Sequence, residues 1–505
     1  MEQYTKIMRV RSIDIASGKM VSIMNSQTAK ELGILPLDRV SIANPKNGKC
    51  MNTVVDFTET MVKKDEIGMF RDVSRFLGTK GGKRVEVTVV DKPKSVEYIK
   101  AKLDGRKLKF AEIKEIVNDL AENRLSEVEA AAFVSAVYVN GFDLDESVSM
   151  TKALVENGKT LEIKGLCVDK HSIGGLNGRT TMAIVPIIAA AGYNMPKTSS
   201  RSITSAAGTA DAMEVMCNVS LPLAEIKQIT EKVGGVIAWG GAVELAPADD
   251  KIIKIEHPLL LDPEGQVVAS VMAKKASVGA KFVVIDLPVG PDMKVKSKEQ
   301  AESMALKFLE VGKAMGIKVE AILTDGTEPC GMAFGPALEA KWLMEILEGK
   351  RFDNLADKSC ELAGVLIEMA GGAPVGKGYA KAKEILTSGK ALAKMKEIIK
   401  AQHGTIFRSE DIEIGKYKEA ITAQAAGEIK KVNVKTLNTI ARLAGAPADK
   451  KAGVLLKVRE DLQIQKNALL FEIYATNKRR LEIAVSYAKV NQPVEMEKMV
   501  LERFA

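Results

Sequence analysis

The chain has 505 residues, 46% hydrophobic and 27% charged, a balance that excludes extended disorder and suits about three packed domains. No apolar run reaches the roughly 18 residues a membrane span needs. The longest, 182–193, holds Pro186, and the first residues lack the apolar core of a secretory signal, so a cytoplasmic protein is expected. The net charge of +8 comes from 73 basic and 65 acidic side chains that alternate along the chain, which describes a mixed surface better than a nucleic-acid groove.

Residues 1–90 read as a β-rich domain. Short alternating runs (MRVRSIDI, MVSIMN, RVSIAN, MNTVVDF, RVEVTVV) are broken by turn signals such as Pro45-Lys46-Asn47-Gly48. One helix is expected at 26–32, closed by Gly33 and leading into a strand at Arg39. This helix–glycine–strand arrangement resembles the repeat of double-psi β-barrels. No internal repeat or low-complexity tract is legible across the chain.

After a linker at 90–94, residues 95–161 take a helical period, with amphipathic runs at 110–123, 126–140 and 145–157. Ser126 with Glu129, and Asp145, supply cap chemistry, and Gly141 and Gly158 are the expected stops. Residues 162–410 alternate strands (LEIKGLCVD, FVVIDLPV, KVEAILTD) with helices, the layout of an α/β domain with a mainly parallel central sheet. Residues 411–505 return to short segments (KVNVKT, AGVLLKV, ALLFEIYA, RLEIAVSYA) that suggest an α+β C-terminal domain. The fold class is thus multidomain α/β.

Five cysteines (Cys50, Cys167, Cys217, Cys330, Cys360) lie far apart without a CxxC pair and read as buried thiols in a reducing compartment. Three histidines, His171, His257 and His403, are too few for a His-rich metal site, and no metal is expected.

The most informative stretch runs from Asp169 to Thr181 (DKHSIGGLNGRTT). A glycine-rich turn between a strand and an apolar helix presents unpaired N–H groups and the positive end of the helix dipole to an anion. Lys170, Ser172 and Thr181 add donors. It is not a Walker A loop: Gly158-Lys159-Thr160 has Ala153 where the first glycine belongs. An ordinary βα turn needs the same glycines. A second stretch, Lys197 to Asp211 (KTSSRSITSAAGTAD), again joins a strand-like segment to a helix and is dense in hydroxyls. Two such loops in succession point to a shared oxyanion site, against the alternative of a Ser/Thr-rich surface loop.

These stretches resemble the thymidine phosphorylase family of nucleoside phosphorylases. DKHSIGG is close to that family's phosphate loop and SSRSITSAAGTADAMEV to its signature segment; TDGTEPCGMAFGPALE and AGVLLKVREDLQIQKNALLFEIYA match two later blocks. The resemblance implies phosphorolysis, with phosphate held by Lys170, Ser172, Thr181, Ser199 and Thr209. It also implies base contacts from His171, Ser270 and Lys274. Inorganic phosphate is then a co-substrate, and no cofactor is expected.

Two departures direct the reading. Pyrimidine phosphorylases carry an arginine upstream of Ser270, whereas no arginine lies between Arg201 and Arg351 and the gap-free equivalent is Ile255. Losing that bidentate partner would cost a pyrimidine carbonyl on the order of 1–3 kcal/mol. The bacterial pyrimidine enzymes also lack the N-terminal β domain. Both features resemble the archaeal AMP phosphorylase branch, which splits a nucleoside 5′-monophosphate into base and ribose 1,5-bisphosphate.

In that branch the implied nucleotide contacts fall on Gly174, Ser200, Arg201, Ser202, Ile203, Thr204, Ser205, Thr209, Ser270 and Lys294. The implied proton donor is Asp262. An aspartate needs a raised pKa to donate at neutral pH, and burial against residues 259–261 would supply it. The run Asp262-Pro263-Glu264-Gly265 equally suits a tight turn, and Lys294 equally suits a solvated stretch with Lys296 and Lys298.

The reading is a phosphorylase of nucleoside monophosphates, AMP first and CMP and UMP as extensions. Its active site is expected in a cleft between the helical subdomain, with a returning segment near 250–277, and the α/β domain. A homodimer or larger homo-oligomer is expected, with small-molecule partners and neither membrane nor nucleic acid. The alternatives are a thymidine or uridine phosphorylase, and a binding module that keeps a dead phosphorylase core.

Overall fold

The computed structural model describes residues 5–497 apart from 17–19, 37, 175–178, 203–204 and 244. The chain divides into two compact units, 1–158 with 246–270 and 159–245 with 271–505.

In the first unit, β1 (Thr5–Ile13), β2 (Val21–Asn25), β3 (Arg39–Ala43), β4 (Cys50–Thr58), β5 (Glu66–Phe70) and β6 (Arg84–Val90) close into a barrel. The order is β1-β5-β2-β4-β3-β6. Alternation puts Val40, Ile42, Val85 and Val87 inside, each at most 1% exposed. The pairs β1–β5 and β2–β4 are parallel and the others antiparallel.

Helix α1 (Ser26–Glu31) leads through Gly33 to β3, and a second helix, α2 (Arg71–Leu77), leads through Gly78 to β6. Both glycines have positive φ, the left-handed stop that a residue with a Cβ resists. Leu32-Gly33 with Arg39-Val40 recurs 45 residues later as Leu77-Gly78 with Arg84-Val85. Strands β1, β2 and β3 start 45 residues before β4, β5 and β6, so the barrel is two copies of one strand–strand–helix–strand unit, and the expectation of no internal repeat is corrected. Beyond those four positions the strands and helices of the two copies share only Val10 with Val55 and Met24 with Met69, too few to stand out without the pairing.

The bundle follows as α3 (Ser95–Leu103), α4 (Phe110–Ala121), α5 (Glu127–Asn140) and α6 (Leu144–Asn157). Ser126 and Glu129 form the expected capping box of α5. The cap of α6 is Asp143, not Asp145: Asp143 Oδ1 accepts from Glu146 N at 2.8 Å, and Glu146 Oε2 accepts from Asp143 N at 3.2 Å. Lys102 and Glu146 pair at 2.7 Å with both side chains buried, and Arg39 of β3 pairs with Glu129 of α5.

The second unit is built on parallel strands: β7 (Val168–Ser172), then, after α7 (Thr180–Ala190), β8 (Met195–Ser199), and, after α8 (Thr209–Met213) and α9 (Leu223–Val233), β9 (Gly235–Trp239). The chain re-enters the first unit with α10 (Pro247–Leu259), and α11 (Glu264–Ser277) starts there and ends in the second unit. The sheet is completed by β10 (Phe282–Val289) and, after α12 (Lys298–Ala314), by β11 (Lys318–Asp325). Strands run β11-β10-β7 and β8-β9, joined by a parallel bridge from Cys167 to Asn194.

Past β12 (Ala333–Phe334), helices α13 (Pro336–Leu347), α14 (Asn354–Met369), α15 (Gly378–Thr387) and α16 (Lys390–Ala401) precede the C-terminal part. There β13 (Tyr417–Thr422), β14 (Gly427–Val432), α17 (Val434–Ala444), β15 (Gly453–Leu456), β16 (Gln463–Ile464), β17 (Leu469–Ala475), α18 (Lys478–Val490) and β18 (Val494–Met496) follow. Antiparallel β12-β15-β17-β13 form one sheet and β16-β14-β18 another.

Two expectations change here. RLEIAVSYA lies in α18, burying Leu481, Ala484 and Ala488 at helical spacing, and KVNVKT splits between β14 and α17. Cys50 is exposed and Cys330 half-buried, so only three of the five cysteines are buried thiols.

Candidate functional site

The carboxyl ends of β7, β10 and β11 converge on one buried carboxylate. Asp286 lies opposite Ser172 in the β10–β7 register. Its Oδ2 accepts from Ser172 Oγ at 2.5 Å and its Oδ1 from Thr324 Oγ1 at 2.6 Å. Two ammonium groups face it: Lys170 Nζ, 3.8 Å from Oδ2, and Lys358 Nζ on α14, 3.2 Å from Oδ1. Lys170 also donates to Ser172 and, at 2.8 Å, to Thr180 at the start of α7.

Burial alone would raise the Asp286 carboxyl, but Lys170 and Lys358 outweigh it and hold it below the ordinary range. Burial pushes Lys170 down to about 8, with Asp286 opposing. Two cations, one carboxylate and three hydroxyls beside a helix N-terminus leave a net positive site at the sheet's carboxyl end. It suits an oxyanion.

A second buried cluster lies beneath. Asp169 accepts from Lys275 Nζ at 2.7 Å and pairs with Lys197 at 3.5 Å, all three side chains at most 5% exposed. His171, half-buried, is held well below the ordinary histidine range by burial first and then by Lys275, Lys197, Lys274 and Lys170. Its imidazole is therefore neutral, able to donate from one ring nitrogen and accept at the other.

The second loop is closed by its own carboxylate. Asp211 Oδ2 accepts from Ser202 N at 2.7 Å and Gly208 N at 2.8 Å. Gly208 allows this approach: a Cβ there would lie 2.5 Å from Ser200 O and 2.6 Å from Ser202 N. Ser202 donates to Ser205 O, and Ser205 to Ala207 O at 2.8 Å.

Arg201 differs from expectation. Its guanidinium is bound by Glu214 through two 2.6 Å bonds and lies 4.8 Å from the Trp239 ring centroid, so its side chain shapes the loop. Arg201 in turn holds Glu214 down to about 2. Asn438 of α17 accepts from Ala206 N at 2.8 Å, anchoring the loop to the C-terminal part.

Among the other sequence-derived residues, Thr181 is buried in the first turn of α7, Ser199 ends β8, Ser200 is exposed and Thr209 opens α8. Gly174 and Lys294 come together: a Cβ on Gly174 would lie 2.4 Å from Lys294 Cγ. Lys435 of α17 pairs with Asp292 in the same loop as Lys294. Lys274 is half-buried on α11. Ile203 and Thr204 lie outside the described residues.

In the first unit, Ser270 is buried and donates to Asp249 at 2.7 Å. Asp262 is exposed, following Leu260, whose φ of 53° ends α10, and preceding Pro263 at the start of α11. Leu259 and Leu260 are 45% and 84% exposed. The expected burial of Asp262 against them is therefore corrected: the left-handed residue turns these side chains outward.

Three residues of the anion cluster were not anticipated: Asp286, Thr324 and Lys358. Thr180 rather than Thr181 is the one that meets Lys170. Arg179, also unanticipated, pairs with buried Glu339 and donates to Ala207 O, tying the first loop to the second. Among the described residues no cluster of His, Cys, Asp and Glu could hold a metal ion, and no helix is long and apolar enough to cross a membrane.

Comparison with known proteins bears on this geometry. Residues 96–158 match the glycosyl transferase family helical bundle domain, and residues 164–392 match its a/b domain. AMP phosphorylase 1 of Archaeoglobus fulgidus is 45% identical over 98% of both chains. The chain belongs to the AMP phosphorylase family. Other AMP phosphorylases similar to it come from Methanococcus maripaludis, 42% identical over 99% of both chains, and Thermococcus sibiricus, 43% identical over 98% of this chain and 99% of that one.

The matches to these AMP phosphorylases extend beyond the two domains on both sides, to 98–99% of this chain. Anthranilate phosphoribosyltransferase of Thermus thermophilus superposes on 61% of this chain and 99% of its own, with a TM-score of 0.53 and 20% identity, a likeness of fold alone.

Proposed function

We propose that this chain is a pentosyltransferase that splits AMP with inorganic phosphate into adenine and ribose 1,5-bisphosphate. The reading is carried by similarity along nearly the whole length of relatives named AMP phosphorylase. The Lys170–Asp286 cluster supplies a physical seat for the phosphate. CMP and UMP are further substrates of the same site, and the enzyme works in the cytoplasm as a homo-oligomer in nucleotide salvage or degradation.

In this reading Lys170, Ser172, Thr181 and Ser199 hold inorganic phosphate against the anomeric carbon. The ribose 5′-phosphate and sugar lie against Gly174, the 200–205 loop, Thr209 and Lys294, with Ser270, His171 and Lys274 toward the base. A phosphate oxygen attacks C1′ as the glycosidic bond breaks, the sugar passing through oxocarbenium character. The departing adenine takes a proton from Asp262. Asp262 is solvent-exposed in this structure, so the bound nucleotide itself must cover the carboxyl. As written, the reaction uses no metal or organic cofactor.

Chromatography of AMP with and without phosphate tests the reading. Adenine released only with phosphate supports it, and thymine from thymidine with AMP untouched would move the chain to the pyrimidine enzymes. Asp262→Asn should then lower kcat by about 10²-fold or more, the usual size of a general-acid contribution.

A further inference from the structure

We propose that Gln266 reads the nucleobase, its carboxamide pairing with the 6-amino group of adenine and the adjoining ring nitrogen. This rests on the proposed AMP phosphorolysis and names the residue that would select the base.

Gln266 lies in the first turns of α11 and is 3% exposed. Among the described residues neither its Oε1 nor its Nε2 has a hydrogen-bond partner. A folded chain ordinarily pairs buried amide groups, so a side chain with both donor and acceptor left over is a site waiting for a complementary edge.

Its place on the helix says which ligand. Within α11, Gln266 stands one turn before Ser270, and residues four apart lie on the same helical face; Asp262 lies in the turn just ahead of the helix. In the proposed reaction Ser270 contacts the nucleotide, so the unpaired amide shares the helical face of a substrate-contacting residue. The helix is held in this rotation by Gly265, where a Cβ would lie 2.7 Å from Phe142 Cβ, and by Ser270, which donates to Asp249 at 2.7 Å.

The chemistry of the group completes the case. No arginine lies between Arg201 and Arg351, so neither α10 nor α11 offers a guanidinium to a base carbonyl. A carboxamide offers a donor and an acceptor side by side, the arrangement with which Gln pairs to adenine. Turned over by 180°, it presents the reverse order to a uracil edge. One residue would thus serve several bases without a fixed charge.

The test compares wild type and Gln266→Leu on AMP and on the 5′-monophosphate of purine riboside, which lacks the 6-amino group. Wild type should turn over AMP at least tenfold more efficiently than the analogue, and Gln266→Leu should erase that preference by losing AMP efficiency. The KM for phosphate should stay within twofold, and the melting temperature should not fall, because an unpaired buried amide is replaced by an apolar group of similar size.

Retention of the AMP preference in Gln266→Leu overturns the proposal, as does a matching loss for the analogue. Should that variant not fold, Gln266→Glu, which keeps the shape and loses the amide donor, replaces it, judged by the substrate preference and the KM for phosphate alone. A wild type that releases no base from any nucleoside monophosphate instead overturns the phosphorolysis reading itself, before any variant is compared.

Discussion

Lys170 and Asp286, on neighbouring parallel strands, face each other with Nζ 3.8 Å from Oδ2 and both side chains 2% exposed. Ser172, Thr324 and Lys358 close the carboxylate's remaining positions. Asp286 is thus the counter-charge that lets two lysines remain at the end of the sheet. Asp286→Asn would leave both ammonium groups partly uncompensated, a defect worth about 3–5 kcal/mol in buried pairs. Calorimetry should show a clear fall in melting temperature, and the KM for phosphate should rise. An unchanged melting temperature would remove Asp286 from the framework of the site.

The pH dependence has opposite signs for function and stability. Burial brings Lys170 to about 8, so the site loses one of its two cations, and part of its hold on phosphate, as pH rises through that value. Over the window from about 8 to the ordinary lysine value the unfolded chain keeps a proton that the folded one has released. Stability therefore gains with pH there. The phosphate kcat/KM should decline above pH 8 while the melting temperature of wild type rises relative to Lys170→Met. A flat difference between the two proteins from pH 7.5 to 10 would contradict this assignment.

His171 provides an independent check on the same field. Held down by burial first and then by Lys275, Lys197, Lys274 and Lys170, its imidazole should stay neutral near neutral pH. Its ring proton resonance should show no titration between pH 6 and 8. A midpoint near the ordinary value of about 6.5 would mean that the ring is neither buried nor faced by these lysines in solution.

The second loop makes a steric prediction. At Gly208 an added Cβ meets backbone atoms of Ser200 and Ser202 and the carbonyl carbon of Arg201 at 2.5–2.7 Å, contacts that no side-chain rotation relieves. Gly208→Ala should displace the loop and lower AMP kcat/KM by about 10²-fold, the scale of an ångström misplacement. Circular dichroism should show the fold retained. Activity within threefold of wild type would show that the loop does not position substrate.

Much of this was legible in the residues. Capping chemistry and amphipathic spacing placed α4 and α5 to within two residues, and β10 and β11 were readable as apolar β-branched runs. The two glycine- and hydroxyl-rich loops were visible because each carries its donors within about fifteen residues. Asp286 was not, because its partner Ser172 is 114 residues away and a lone aspartate inside an apolar strand has no local signal. Lys358 and Thr324 were hidden for the same reason. In the barrel, β5 (EIGMF) was too short to read, which concealed the second copy of the repeat. In α18, Leu481, Ala484 and Ala488 share a helical face that short alternating apolar residues disguised as a strand.

The most direct measurement is the product of AMP cleavage. AMP incubated with the enzyme and phosphate should yield adenine and ribose 1,5-bisphosphate in equal amounts, with nothing released when phosphate is left out. Adenine formed without phosphate, or cleavage of thymidine in place of AMP, would contradict the account.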